Sequence, residues 1–252
     1  MVTGAAGGIG KAVSYGLCGA GANVVLCDIN TEKNRAIEAE FAKEGKIAKA
    51  VSLNLIDIES IKACTKEVMN SFGTIDILVN CAGVNKREGF LDVEEKTYDF
   101  IMNVNLKGVF FLTQEVVPHM INNGGGKIIN FSSHNAQGML GGVSVYGATK
   151  AAISALTRSM AIEWAKYNIQ ANAIAPGHIL TELTQSTWDT PHRAEYLRER
   201  IAMGRPGTPE EMVGMVIMLS SDASNYMTGQ TYHVDGGCLA GGKPWQYDTK
   251  WQ

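Results

Sequence analysis

The sequence has few of the features that place a protein in a membrane or on nucleic acid. Its 252 residues carry a formal net charge of −3, and no block of basic residues occurs among them. This balance disfavours nucleic acid as a partner. No apolar run reaches the length that spans a bilayer, and no signal-peptide pattern opens the chain. We therefore expect neither a membrane nor nucleic acid as a partner.

Cysteine is also sparse, and its distribution excludes the common disulfide and metal patterns. The chain contains no Cys-x-x-Cys and no other spacing typical of metal ligands. Scattered thiols are typical of a reducing compartment, so we expect a cytoplasmic protein whose cysteines are free and buried. The spacing predicts no metal site. The cysteines are Cys18, Cys27, Cys64, Cys81 and Cys238.

Apolar residues make up 45% of the chain, enough for a large core. Short apolar runs alternate with amphipathic helical patterns along its length. This alternation predicts an α/β fold, a doubly wound parallel sheet of about seven strands with helices on both faces, in a single domain over residues 1–252. The pattern breaks up at 178–207, which we interpret as a substrate-loop insertion. Residues 241–252 form a tail rich in Trp and Tyr.

A glycine-rich turn opens the chain at residues 2–10 and leads directly into a helical pattern. Such a turn lets the backbone approach a pyrophosphate, and the helix N-terminus favours the anion. Asp28 ends the next apolar run, where a carboxylate can bind both hydroxyls of an adenosine ribose. The alternative is an N-cap for the following helix, a role that Asn30 or Thr31 can also serve. Only Met1 and Val2 precede Thr3, so we expect a sheet that is short here or a natural chain with a few more residues upstream.

Two later segments carry polar residues in apolar surroundings. The buried strand over residues 76–83 ends at Asn80 and small residues, against which a flat cofactor can lie. The long helix predicted over 94–122 contains Asn103, Asn105 and Gly108, and these predict a local bend or a bound water.

The stretch over residues 130–150 combines a serine at a strand end with a Tyr-x-x-x-Lys pair. Tyr146 and Lys150 share one face of the predicted helix, and an ammonium beside a phenol lowers the pKa of the phenol. Tyr146 can then exchange a proton with a substrate oxygen, which Ser133 can also bind. The alternative for Tyr146 is ordinary packing at a helix start.

Together these motifs resemble the short-chain dehydrogenase/reductase family over nearly the whole chain. The resemblance is carried by residues 3–10, by Asn80-Cys-Ala-Gly83 with Cys81 in place of the family's second Asn, and by Asn105, Ser133, Tyr146 and Lys150. Pro176-Gly177, Thr181 and Asp235-Gly-Gly237 follow in the family's order. Asn54 stands where many relatives carry an Asp that contacts adenine.

The resemblance implies a Rossmann-type fold and NAD(P)-dependent interconversion of a secondary alcohol and a ketone, with no metal. Tyr146 is the implied general acid/base, Lys150 holds the nicotinamide ribose, Ser133 orients the substrate, and Asn105 holds a water. The implied cofactor-binding residues are Gly4, Ala6, Gly8, Ile9, Gly10, Asp28, Asn54, Leu55, Asn80, Ala82, Gly83, Tyr146, Lys150, Pro176, Gly177, Ile179 and Thr181. Asp28 favours NAD over NADP.

The substrate is expected to be a sugar acid or polyol, because the turn after residue 83 and the segment 168–181 look most like gluconate 5-dehydrogenase and its relatives. The candidate substrate residues are Arg87, His134, Gln137, His178 and Trp188. The alternatives are a 3-oxoacyl-(acyl carrier protein) reductase that uses NADPH and a non-catalytic dinucleotide sensor. Relatives pair their long helices, so we expect a homotetramer whose tail packs on a neighbouring subunit.

Overall fold

A computed structural model describes residues 1–244 and contains one parallel sheet of seven strands. The sheet order is β3-β2-β1-β4-β5-β6-β7. The strands span Val2–Thr3 (β1), Val24–Asp28 (β2), Ala48–Ser52 (β3), Ile77–Asn80 (β4), Gly126–Phe131 (β5), Ile169–Pro176 (β6) and Thr231–Val234 (β7). Every registered pair of strands is parallel, which confirms the predicted Rossmann-type architecture.

Helices follow the strands along the chain. They span Gly8–Gly19 (α1), Thr31–Lys43 (α2), Ile58–Phe72 (α3), Glu95–Met102 (α4), Val109–Asn122 (α5), Ser144–Trp164 (α6), Gln185–Trp188 (α7), Pro191–Glu199 (α8) and Val213–Ser220 (α9). Asn30 caps α2 by accepting from the backbone N–H of Lys33, 3.0 Å away, so Asp28 is not needed for that purpose.

Two apolar clusters cover the two faces of the sheet. Neighbouring strand residues point to opposite faces. Accordingly, Leu78 and Ile128 belong to the cluster with α3, α5 and α6, whereas Val79 and Ile129 belong to the cluster with α1, α2 and α9. The central strands are therefore buried on both sides, and their carboxyl ends carry the loops that build the site.

The first strand is two residues long although it lies between β2 and β4. Its entry is held by the chain's own start: the Met1 ammonium donates to the Ile77 carbonyl at 2.9 Å. The N–H of Val79 in turn donates to the Met1 carbonyl at 2.9 Å. β1 is thus two residues long in this sequence, and the longer upstream chain stays a prediction.

The polar residues of the predicted 94–122 helix lie in a π-helical segment, Asn103–Gly108, that joins α4 to α5. A π segment displaces the helix face by widening one turn, and it is often found at functional sites. Gly108 allows this segment to approach the preceding loop, since a Cβ there would lie 2.5 Å from the Leu55 carbonyl oxygen. The expected local distortion is therefore present.

Residues 178–207, predicted as a loop, contain α7 and α8, and a parallel bridge between Ile179 and Gly207 joins the two ends of the segment. Of the tail predicted over residues 241–252, residues 245–252 lie outside the described part of the chain, so its packing on a neighbouring subunit stays a prediction. No helix within residues 1–244 is long and apolar enough to cross a membrane.

Candidate active site

A cavity of about 420 Å³ opens at the carboxyl ends of the central strands. It lies where β1 and β4 lead their chains to opposite sides, the position at which doubly wound sheets bind ligands. Seventeen of the predicted site residues line it: Gly4, Gly8, Ile9, Gly10, Asp28, Ala82, Gly83, Arg87, Ser133, His134, Tyr146, Lys150, Pro176, Gly177, His178, Ile179 and Thr181.

The glycine-rich turn forms one end of the cavity and has no room for side chains at two positions. Gly4 has a φ of +70°, and a Cβ there would lie 2.8 Å from the Ala82 Cα. A Cβ on Gly10 would lie 2.1 Å from the Gly4 carbonyl oxygen. These glycines bring the backbone and the N-terminus of α1 to the cavity wall, where an anionic group can approach.

Asp28 closes this end and is held by two backbone donors. The Ala6 N–H donates to one carboxylate oxygen at 3.0 Å, and the Asn30 N–H donates to the other at 2.8 Å. Ala6 is buried and does not line the cavity; its contribution is to position Asp28. Each carboxylate oxygen keeps a further acceptor site for a ligand hydroxyl.

Three other predicted cofactor residues lie away from the cavity. Asn80 is buried, and its amide donates to Thr113 at 3.1 Å and to Asn130 at 2.9 Å, so it joins strands to a helix. Asn54 accepts from the Ile56 N–H at 3.1 Å and shapes its own turn, while Leu55 packs in the core. The motifs placed these residues near the site, but Asn80 and Leu55 are buried in the core and the Asn54 side chain is engaged within its own turn.

Tyr146 and Lys150 lie one helical turn apart on α6, with the Lys150 Nζ 5.7 Å from the Tyr146 ring centre. Lys150 donates from Nζ to the Phe131 carbonyl at 2.7 Å, which ties α6 to the end of β5. Ser133 follows the same strand end, and its Oγ accepts from the Asn135 N–H at 3.1 Å. The three side chains thereby meet on one wall.

Burial dominates the protonation of this group. It raises the pKa of Tyr146, an effect that a hydrogen bond with the Ser133 side chain opposes. It lowers the pKa of Lys150 to about 8, with the Cys81 thiol acting in the opposite sense. The expected lowering of the Tyr146 pKa by Lys150 is therefore not the leading effect here. Ser133 supplies the lowering contribution instead.

Asn105 does not line the cavity but lies directly behind it. It is fully buried in the π segment, where its Oδ1 accepts from the Val84 N–H and its Nδ2 donates to the Val84 carbonyl, both at 2.8 Å. A Cβ on Gly83 would lie 3.4 Å from the Lys150 Nζ and 3.5 Å from the Asn105 Oδ1. Asn105 thus anchors the wall beside Lys150.

The opposite end of the cavity is formed by predicted substrate residues. His134 and His178 stack edge to face with ring centres 4.4 Å apart, and Arg87 lies at the same end. Burial lowers the pKa of both imidazoles, that of His178 to about 3, so both are neutral near pH 7. Trp188 lies behind His178 at 6.5 Å, and Gln137 is exposed; neither lines the cavity.

Comparison with known proteins assigns the chain to a family. A family model described as enoyl-(acyl carrier protein) reductase matches residues 4–238. The chain is 41% identical over 243 residues to 2-dehydro-3-deoxy-D-gluconate 5-dehydrogenase of Escherichia coli K12, covering 95% of this chain and 94% of that protein. The chain belongs to the short-chain dehydrogenase/reductase family. It is accordingly an NAD(P)-dependent oxidoreductase that interconverts a secondary alcohol and a ketone.

Two further family members frame the range of relatives. The chain is also 41% identical to the 3-oxoacyl-(acyl carrier protein) reductase of Thermotoga maritima, over 95% of this chain and 96% of that protein. A gluconate 5-dehydrogenase from Burkholderia cenocepacia, solved with NADP and tartrate, superposes with a TM-score of 0.92 at 39% identity, over 94% of this chain and 93% of that chain.

Several residues that line the cavity of the present protein belong to no motif that could have identified them from the sequence. Asn85, Leu140 and Val143 come from loops, and Asn135 and Ser132 flank the predicted serine. Glu182 directly follows Thr181, and its carboxylate pairs with Lys33 at 2.9 Å. The sequence signal for this group was only adjacency to predicted residues. The lining residues missed are Gly7, Cys81, Val84, Asn85, Phe131, Ser132, Asn135, Leu140, Val143, Glu182, Leu183 and Thr184.

Proposed function

We propose that Tyr146 is the general acid/base of this oxidoreductase and that Ser133 and Lys150 serve it directly. The observation that carries the proposal is that all three side chains line one wall of a cavity whose far end is the glycine turn and Asp28. A phenol on this wall can give a proton to a carbonyl oxygen or take one from a hydroxyl. Ser133 would hold the same oxygen. Lys150, protonated below its pKa of about 8, would stabilise the phenolate.

A dinucleotide fits the cavity because backbone atoms, with no side chain in the way, form the wall that a pyrophosphate must approach. The positions of Gly4 and Gly10 admit no Cβ, and the Asp28 carboxylate faces the cavity beside them. When bound, the nicotinamide accepts or supplies the hydride. The protein fixes the position of the nicotinamide. Thr181 and Ile179 flank the glycine turn, and Lys150 is placed to hold the ribose. Asn105 would keep Val84 in place and hold a water behind Lys150.

NAD is the proposed cofactor. Asp28 offers a carboxylate to the ribose hydroxyls, whereas a 2′-phosphate at that position would add a charge near −2. Lys33, the nearest cation of α2, is engaged with Glu182 at 2.9 Å. The Burkholderia enzyme was solved with NADP, so the two cofactors need direct comparison.

For the substrate we propose a sugar acid or polyol. Arg87 lines the substrate end of the cavity, and within residues 1–244 it takes part in none of the ion pairs. Its neighbour Lys86 is instead paired with Glu88. A free guanidinium is suited to a substrate carboxylate. His134 and His178, both neutral, can hydrogen-bond hydroxyl groups.

The test of the catalytic proposal is Tyr146→Phe. We expect kcat to fall by about 10²–10⁴-fold, the usual worth of general acid/base help, while NADH affinity stays within a few-fold. Turnover would be followed by NADH absorbance on a panel of sugar acids and polyols. Tyr226→Phe, which alters a fully exposed tyrosine, is the matched control. A near-normal kcat for Tyr146→Phe would remove the proposed role and favour a non-catalytic dinucleotide sensor.

The similarity to the Thermotoga reductase makes a 3-oxoacyl thioester the second candidate substrate. The two candidate substrates would contact Arg87 differently: a sugar acid through its carboxylate, and a 3-oxoacyl thioester through its acyl chain. Arg87→Gln should raise KM for sugar acids and leave KM for a 3-oxoacyl thioester unchanged. Higher kcat/KM for the thioester with NADPH would favour the second candidate.

We also propose that the chain acts as a single domain, 1–252, in a homotetramer in the cytoplasm. Its five free cysteines support a reducing compartment. The assembly is supported by an apolar face on α4, α5 and α6. It includes Met102, Leu106, Leu156 and Phe110, the last of which is 44% exposed.

A further inference from the structure

Three side chains that can bind a metal meet beside the substrate end of the cavity: His134 and His178 line the cavity, and Cys238 lies within reach of both. His134 follows β5, His178 follows β6 and Cys238 follows β7, three neighbouring strands of the sheet. One ligand atom of each lies within 4.8 Å of the other two. The residues are far apart in the chain, so the carboxyl ends of the strands alone bring them together.

The hydrogen bonding of His134 leaves one ring nitrogen available as a ligand. Its Nδ1 lies 3.1 Å from the Pro176 carbonyl oxygen, so Nδ1 carries the hydrogen and donates it. Nε2 is then a lone-pair acceptor, and it is buried without a hydrogen-bond partner in a side chain that is 4% exposed. A carbonyl that binds the second ring nitrogen is the usual support of a metal-ligating histidine, because it fixes the tautomer and the ring orientation.

His178, whose ring centre lies 4.4 Å from that of His134, carries a second unpartnered nitrogen. Its Nε2 is buried and makes no hydrogen bond. A buried polar atom without a hydrogen-bond partner lowers the stability of the fold. Two such nitrogens on neighbouring rings therefore indicate a ligand that both can bind. Asp235 is not that partner, because neither Nε2 atom has a hydrogen bond to any group; the Asp235 carboxylate instead accepts from the backbone N–H groups of Gly237 and Leu239 at 2.9 Å each.

Two imidazole nitrogens and a thiolate are a ligand set for zinc. Zn²⁺ binds His nitrogen at about 2.0–2.1 Å and Cys sulfur at about 2.3 Å in tetrahedral geometry, which places ligand atoms roughly 3.5 Å apart. The ligand atoms now lie within 4.8 Å of one another, and side-chain rotations that move them by about 1 Å would bring them to the tetrahedral spacing. Ca²⁺ and Mg²⁺ require oxygen ligands and are disfavoured. Three protein ligands leave a fourth coordination position open, and two of the three, His134 and His178, line the cavity.

We propose that His134, His178 and Cys238 form a zinc site that closes the substrate end of the cavity. Binding forms a Zn–S bond as the Cys238 thiol releases its proton to water, with no change of oxidation state. The ion would occupy the place of the substrate hydroxyls, so zinc should inhibit competitively with substrate. This inhibition rests on the proposed function, whereas binding does not. The cysteine spacing had predicted no metal site.

Binding is tested with Co²⁺ and Zn²⁺ on the full-length protein. Co²⁺ should produce a thiolate-to-cobalt charge-transfer band in the near ultraviolet, and Zn²⁺ should abolish it by displacement. Cys238→Ser should lose the band and weaken zinc affinity by at least ~10-fold, since even an outer-shell partner is typically worth ~10–100-fold. Cys18→Ser, which changes a buried cysteine elsewhere, is the control and should retain the band.

A second measurement separates this site from the catalytic proposal. Tyr146→Phe should keep the cobalt band although its turnover is lost, because Tyr146 is not a ligand. Zinc should raise KM in the wild type at constant kcat and have a weaker effect on Cys238→Ser, each compared with its own zinc-free rate. A band that survives in Cys238→Ser, or is absent from the wild type, would overturn the site.

Discussion

At Asp28, the carboxylate that should select the cofactor also holds two backbone N–H groups, from Ala6 and Asn30. A phosphate near it would be repelled: two unit charges at ~4 Å interact by about 4 kcal/mol at an effective dielectric of ~20. Movement and salt relieve part of this. We therefore expect NAD to exceed NADP by at least ~10-fold in kcat/KM, equivalent to about 1.4 kcal/mol.

Substitution of Asp28 checks that expectation. Asp28→Ala should narrow the NAD to NADP ratio of kcat/KM, and Asp28→Asn, which keeps an acceptor oxygen for the turn, should narrow it with less general damage. The ratio is the proper readout, because loosening of the turn affects both cofactors. A wild-type enzyme that prefers NADP would contradict the ribose role of Asp28.

At Lys150, burial produces a pH dependence of stability. Its pKa is lowered to about 8 in the folded chain, against about 10.4 for an ordinary lysine. Between these values the unfolded chain binds more protons, so stability rises with pH there. From pH 7.5 to 9.5 the wild type should gain about 2 kcal/mol relative to Lys150→Met, because one pKa unit is worth about 1.4 kcal/mol.

Urea unfolding of both proteins at the two pH values measures this difference. Lys150→Met is the proper reference because it removes only the titrating group and retains most of the volume. Equal pH dependence in the two proteins would mean that the ammonium is more solvated than its 4% exposure indicates.

At the scale of elements, the π segment Asn103–Gly108 decides where the wall beside Lys150 lies. Asn105 makes two hydrogen bonds at 2.8 Å to the backbone of Val84. Asn105→Ala should lower the free energy of unfolding by about 1–3 kcal/mol, since a buried backbone pair loses its partner. It should also lower kcat by shifting Gly83 and Val84.

Asn103→Ala is the matched control, because Asn103 lies in the same π segment and its side chain is only partly buried. It should change stability by less than ~0.5 kcal/mol, as is usual for substitutions away from buried networks. Thermal unfolding and steady-state kinetics of the two variants compare these roles directly. If the two variants lost stability and kcat equally, the position of the cavity wall would depend on the π segment as a whole and not on the hydrogen bonds of the Asn105 amide.

For the whole molecule, the apolar face on α4, α5 and α6 is the surface that assembly should cover. Phe110→Asp places a charge on this face, which should weaken subunit association by several-fold or more, because an unpaired charge is costly to bury. Light scattering at micromolar concentration would detect smaller species. Tyr226→Asp, at a fully exposed position, is the control and should leave the assembly intact. A wild-type monomer would contradict the tetramer.

The order of elements, the parallel sheet and the family could be read from the sequence, because periodicity and glycine position are local properties of the chain. The motif residues Ser133, Tyr146 and Lys150 were identified for the same reason: a strand end and one helical turn fix their relation. Local spacing could not show that Asn80 turns inward or that Asn105 holds Val84, since both depend on partners distant in sequence.

Only the tertiary structure decided which residues meet beyond the ends of β5, β6 and β7. His134, His178 and Cys238 follow three strands that become neighbours through parallel pairing, so no spacing along the chain could indicate the cluster. The loop after β4 places Arg87 at the cavity, whereas Gln137 is exposed. The local sequence patterns determined the type of reaction. The convergence of the strand ends determined which side chains surround the substrate.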